Sequence, residues 1–181
     1  MHNAAMKIER PAPGEYAPFF ERYLARVPEP DALPLLEGQP AEFRALLGPL
    51  SAERAGFRYA PGKWSIRELL GHLTDTERVF GYRAMCIARG ETAPLPGFEE
   101  NDYAANAGHD RYALADLLAE FEMLRGSNAS MLAHCDEAAL RRVGNANGGP
   151  ISARALAYIM VGHARHHLGV LAAKYGVAGG A

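Results

Sequence analysis

The 181-residue sequence has only two cysteines, one tryptophan and a formal net charge of −2. Cys86 and Cys135 stand far apart, with no CxxC pair and no disulfide framework, so both read as reduced structural thiols. The 19 basic and 21 acidic residues nearly cancel. That balance leaves no electrostatic footprint for nucleic acid and no basic run for a membrane surface. No apolar stretch nears the ~20 residues that a membrane-spanning helix needs, and the opening MHNAAMKIERPAPGEY lacks the apolar core of a signal peptide. Convincing alternating runs that would mark strands are missing too. These shortages point to a cytoplasmic, helical protein that acts on a small molecule.

What is present is ordinary globular composition, 49% hydrophobic and 22% charged, enough for one domain with a full core. Residues 1–14 and 177–181 read as mobile ends around a single domain at 15–176. Proline and glycine punctuate the chain into helices. The first is expected at about Glu15–Arg26, the second at about Asp31–Leu47 with a break near Gly38 and Pro40, and a short turn at Ser51. Ser65-Ile-Arg-Glu68 is a capping box, and it starts a third helix that runs to about Arg89. A proline-bearing loop, Glu91–Gly108, follows. Asp110 is placed to cap a fourth helix from Arg111 to about His134, and a short helical turn covers Asp136–Arg142. Gly144–Pro150 reads as a turn, after which Ser152 caps a last helix that Gly176 ends at Tyr175. Four long helices with two sizeable connections predict an all-α four-helix bundle with a crossover connection.

The last helix carries His163-Ala-Arg-His166-His167 in its most apolar stretch. At ~100° per residue, with His163 at zero, His167 falls near 40°, among Leu156, Val170, Ile159 and Met160. His166 falls near −60°, at the edge of that stripe, and Arg165 points away. Residues four apart have Cβ atoms ~5–6 Å apart, so His163 with His167 can hold one ion, and His163 with His166 is the second choice. On the third helix His72 lies on the inward border, with Thr76 and Arg83 within about 40° of its own line. Buried imidazole is costly unless a partner takes its lone pair or proton, and three histidines from two helices would meet that need with a metal. The competing reading is a set of hydrogen-bonded core histidines that bind nothing.

Glu68, Asp75 and Arg83 are the candidates for chemistry beside such a site. Glu68 has its capping role, Asp75 reads as ion-paired or solvated, and Arg83 as either an internal salt bridge or the holder of an anionic substrate. Trp64, Tyr82, Tyr158 and Cys86 read as packing residues. His2, His109 and His134 carry no argument beyond loops and ends.

Trp64-Ser-Ile-Arg-Glu68 followed by Gly71-His72-Leu73 resembles the opening motif of the DinB-like superfamily. Phe80-Gly-Tyr-Arg83, Ala88-Arg-Gly90, Leu95-Pro-Gly-Phe98 and Gly162-His-Ala-Arg-His-His167 continue the resemblance, which spans about Glu15–Tyr175. It implies a four-helix bundle, frequent homodimers, and a divalent ion (zinc, nickel or iron) on His72, His163 and His167. It also implies a metal-dependent enzyme of thiol-transferase or hydrolase type, with a low-molecular-weight thiol as cofactor in the former. The alternative is a non-catalytic, stress-related bundle that binds metal or a small molecule. Many relatives have glutamine three residues after the last histidine, where this chain has Val170.

Overall fold

Ser65 starts its helix as the capping box requires. Its Oγ accepts from the Glu68 amide at 3.0 Å, and the Glu68 carboxylate accepts from the Ser65 amide at 2.8 Å. The computed structural model describes residues 7–178. In chain order they form α1 (Glu21–Leu24), α2 (Leu33–Leu47), α3 (Ala52–Ala55), α4 (Ile66–Ala88), α5 (Glu100–Ala107), α6 (Leu114–Ala133) and α7 (Glu137–Arg141). An antiparallel hairpin of β1 (Val143–Ala146) and β2 (Gly149–Ser152) then leads into α8 (Ala153–Tyr175). The bundle is made of α2, α4, α6 and α8. Both α2 and α4 pack on α6 and on α8, so the consecutive members α2 and α4 face each other across a diagonal. The four-helix bundle with crossover connections is therefore what the chain adopts.

Several expected boundaries are corrected. The first helix is only α1 after a 3-10 turn at Pro18–Phe20, because Glu15 and Tyr16 run extended against the hairpin. The Glu15 carbonyl accepts from the Ser152 amide at 2.8 Å, and Tyr16 bridges Ile151. Pro40 sits inside an unbroken α2. The proline-bearing loop contains α5, and the Gly144–Pro150 turn is a hairpin whose tip holds Asn147 at φ 51°. Asp110 does not cap α6, whose N-cap is Ala113. It accepts instead from Ser65 Oγ at 2.5 Å, and so ties the start of α4 to the segment before α6.

Buried residues continue on both sides of 15–176. Ile8 is fully buried, its amide donates to Asp31 at 3.0 Å, and Arg10 donates to the Val27 carbonyl at 2.5 Å. At the other end Val177 is buried, with its amide on the Leu171 carbonyl. Ile8, Pro11 and Val177 are thus packed rather than loose. The remaining terminal residues of the expected mobile ends, 1–6 and 179–181, lie outside the described residues, as does His2.

Apolar side chains fill two clusters stacked along the bundle. One gathers Leu36, Phe80, Ala84, Ala129, Leu132 and Leu156; the other gathers Phe43, Leu69, Leu73, Phe121, Ala164 and Leu171. Between them each bundle helix contributes buried polar residues: Gln39, then His72, Thr76 and Glu77, then Arg125, then His163 and His167. Arg125 pairs with Glu77 at 2.9 Å and donates to Gln39 at 2.5 Å; Gln39 donates to the Val161 carbonyl at 3.0 Å, and Asn128 to Glu77 at 2.8 Å. Charges taken out of water need such pairing, and only Arg125 Nε in this network is left without a partner. This polar layer joins all four helices at the level of the histidines.

Candidate metal centre

His72 stands on α4 two turns after the capping box, and His163 and His167 stand one turn apart on α8. Their Nε2 atoms converge. His163 Nε2 lies 3.1 Å from that of His72 and 3.1 Å from that of His167, and one ligand nitrogen from each histidine falls within 4.8 Å of the other two. All three residues are buried. Burial drives their pKa values down, that of His72 to about 4 and those of His163 and His167 well below the usual 6.5, with the neighbouring imidazoles adding to the effect. They are therefore neutral at physiological pH, the form that ligates metal.

Each imidazole nitrogen carries either one proton or one lone pair. Three convergent Nε2 atoms can make one good hydrogen bond among themselves, and the third then has no match. A divalent cation satisfies all three lone pairs at once. With nitrogen–metal distances of ~2.0–2.1 Å, ligands around a tetrahedral ion stand about 3.3 Å apart, close to the 3.1 Å observed. The donor set fits, and with three protein ligands it leaves a position open for substrate.

Aromatic rings hold the imidazoles in place. Trp64 stacks on His72 with centroids 4.7 Å apart, and Tyr23 and Phe80 meet His163 edge-on at 5.3 and 6.0 Å. Tyr23 can reach His163 because the preceding residue is glycine. A Cβ on Gly162 would lie 2.1 Å from the Tyr23 carbonyl oxygen, so α1 could not approach α8. His72 also follows a glycine, Gly71, where a Cβ would lie 2.2 Å from the His109 ring.

The other candidates stand apart from the cluster. His166 is half-buried against Tyr23, with centroids 5.9 Å apart, and belongs to no ligand group. Glu68 is committed to the capping box and to Arg58. Asp75 faces Arg78 at 3.3 Å and His109 at 3.8 Å; burial pushes its carboxyl up despite both. His109 is buried rather than a mere loop residue, and no helical periodicity could have placed it there. Tyr82 is exposed, Tyr158 is core, and Cys86 is half-buried against the apolar cluster. Arg83 is buried, donating to the Pro96 carbonyl at 2.6 Å. No described carboxylate pairs with it, so its expected internal salt bridge is not made.

Among the described residues, two cavities reach the cluster. One, of about 220 Å³, is lined by His163, Thr76, Phe80, Arg83, Phe98 and Asn147 among others. The other, of about 240 Å³, is lined by His167, Trp64, Tyr59, Lys63, Val170 and Tyr175 among others. Val170 thus puts an apolar wall beside His167.

No curated protein matches the chain. Among solved structures it is similar to YfiT from Bacillus subtilis, described as a probable metal-dependent hydrolase with an unusual four-helix bundle topology. The TM-score is 0.71 at 16% identity, covering 94% of this chain and 95% of that one. A likeness at that identity speaks for the fold. The family model of the DinB superfamily matches residues 35–171, which include all three clustered histidines, α4 and α6 entire and most of α2 and α8; the chain belongs to the DinB superfamily.

Proposed function

We propose that this protein is a metal-dependent hydrolase whose divalent ion is held by His72, His163 and His167. The convergence of three buried, neutral Nε2 atoms carries the reading, and the likeness to YfiT, a probable metal-dependent hydrolase, supports it. When bound, an ion on three neutral imidazoles keeps its charge and an open position, so it acidifies water or a thiol and polarises a carbonyl. Zinc, nickel and iron(II) all suit nitrogen ligands. The aromatic rings around the imidazoles fix their orientation. Neither Glu68 nor Asp75 takes part in the cluster, so substrate is oriented by the cavity walls rather than by a carboxylate at the ion.

One observation favours thiol transfer as the second reading. His163 lines one cavity and His167 the other, which offers room for two bound reactants where hydrolysis needs one reactant and water. Protein purified without a histidine tag should hold one divalent ion per chain. It should then cleave members of an ester and amide panel, with activity lost in His163→Ala. Turnover only when a low-molecular-weight thiol is added to an electrophile would select the second reading. Stoichiometric metal with no turnover in either screen would select a non-catalytic binding bundle. The family resemblance also leads us to place the protein in solution as a homodimer, which light scattering tests.

A further inference from the structure

Arg83 is a buried cation without a buried counter-charge. It is 4% exposed, and its described polar partner is the Pro96 carbonyl. Desolvating a guanidinium costs free energy that one neutral acceptor does not return. Proteins tolerate that cost where an anion arrives from outside. The second polar group in the same wall is Thr76, 3% exposed, whose Oγ has no hydrogen-bond partner. Both line the cavity that ends on His163. They share a face of α4, since seven residues return to within about 20° of the starting direction. Thr76 follows His72 by one turn, so His72, Thr76 and Arg83 form a line along the helix.

The opposite wall is built to keep this cavity in shape. Leu95 donates to the Asn145 carbonyl at 2.9 Å and accepts from Asn147 at 3.0 Å, which fastens residues 95–98 to the hairpin. That fastening sets the Pro96 carbonyl on Arg83 and the Phe98 ring 5.9 Å from its guanidinium. Two acids, Glu99 and Glu100, lie at the rim, and both are exposed, as is Arg22 opposite. Glu99 turns back on its own helix, accepting from the amide and side chain of Asn101 at 3.2 and 3.1 Å. The charge in the interior of the cavity is therefore that of Arg83.

The geometry points to an anion-anchoring subsite: Arg83, with Thr76, receives the carboxylate of a small organic acid, whose remaining atoms extend along Phe80 toward the imidazoles. Rejected by the same wall are neutral analogues, which would leave the guanidinium unpaired. The cavity of about 220 Å³ holds the volume of roughly seven waters, which limits the substrate to a small acid with a short apolar body. This inference rests on the histidine cluster being the reacting end.

Binding of 4-fluorobenzoate and of its neutral amide to metal-free protein, followed by fluorine NMR, tests the subsite with no ion present to ligate the carboxylate. The acid should bind, the amide should bind at least about tenfold more weakly, and Arg83→Gln should lose about tenfold or more for the acid alone. Thr76→Val should lose less, with the same selectivity for the acid. A crystal soaked with 4-bromobenzoate needs no variant: the bromine should lie in this cavity with the carboxylate on Arg83. Equal affinity for acid and amide, unchanged acid binding in Arg83→Gln, or bromine located elsewhere would overturn the inference. Metal content, measured separately on reloaded protein, decides the metal reading, so each can fail without the other.

Discussion

Replacing His163 by leucine tests the physical state of the cluster through its effect on stability against pH. His163 is buried, and burial holds its pKa well below 6.5. Above pH 6.5 it is neutral in both folded and unfolded chains and contributes no pH dependence. Below 6.5 the unfolded chain takes up a proton that the folded protein refuses, so stability falls as pH falls, until the folded pKa is reached. Each proton is worth about 1.4 kcal/mol per pH unit. From pH 6.5 to 5 the metal-free wild type therefore loses up to about 2 kcal/mol through this residue alone. His72, with a folded value of about 4, and His167 fall in the same direction. The His163→Leu profile should lack this contribution. Urea unfolding of both metal-free proteins between pH 5 and 8 should show profiles parallel at high pH that diverge by up to about 2 kcal/mol by pH 5, the variant losing less. The absolute offset between the proteins does not enter. Profiles that stay parallel down to pH 5 would refute the reasoning, because they would mean that the folded cluster accepts a proton as readily as free histidine does.

Removing charge from the buried pair by Glu77→Gln strands Arg125, so denaturation should show a loss of about 3 kcal/mol or more; a change under about 1 would contradict the buried ion pair seen here. Gly162→Ala puts a methyl 2.1 Å from the Tyr23 carbonyl oxygen and should cost about 1–3 kcal/mol while displacing Tyr23 from His163. Circular dichroism with metal titration checks both, and a variant as stable as wild type would count against the close packing of α1 on α8. Asp75→Asn and His166→Ala should each keep one ion per chain by elemental analysis, and a fall in either would enlarge the ligand set.

The parts of the fold that local chemistry determines could be read from the residues. Ser65 with Glu68, and Ser152 ahead of α8, are caps whose partners lie three residues away. The inward direction of His72, His163 and His167 follows from helical geometry, which needs no tertiary knowledge. Most of what escaped depends on contacts distant in sequence. Glu15 follows Pro13 and Gly14 and precedes Pro18, which already oppose helix there, and Ser152 and Arg154 bind its carboxylate, their hydrogen bonds outweighing its burial to hold its pKa at about 2. Asp110 caps nothing in its own segment because Ser65 and Arg58 claim it. The Glu77–Arg125–Gln39 layer joins residues 38 to 86 positions apart, beyond any periodicity. Arg83 was legible as an inward cation, but only the cavity beside it distinguishes a waiting anion site from an internal salt bridge.

The central claim is that three imidazoles hold one ion, and anomalous diffraction from crystals of metal-loaded protein tests it most directly. Data at the edges of zinc, nickel and iron should place a single peak ~2.0–2.2 Å from Nε2 of His72, His163 and His167, with His166 outside the coordination sphere. An absent peak after reloading, or one that engages His166 in place of His167, would contradict the account.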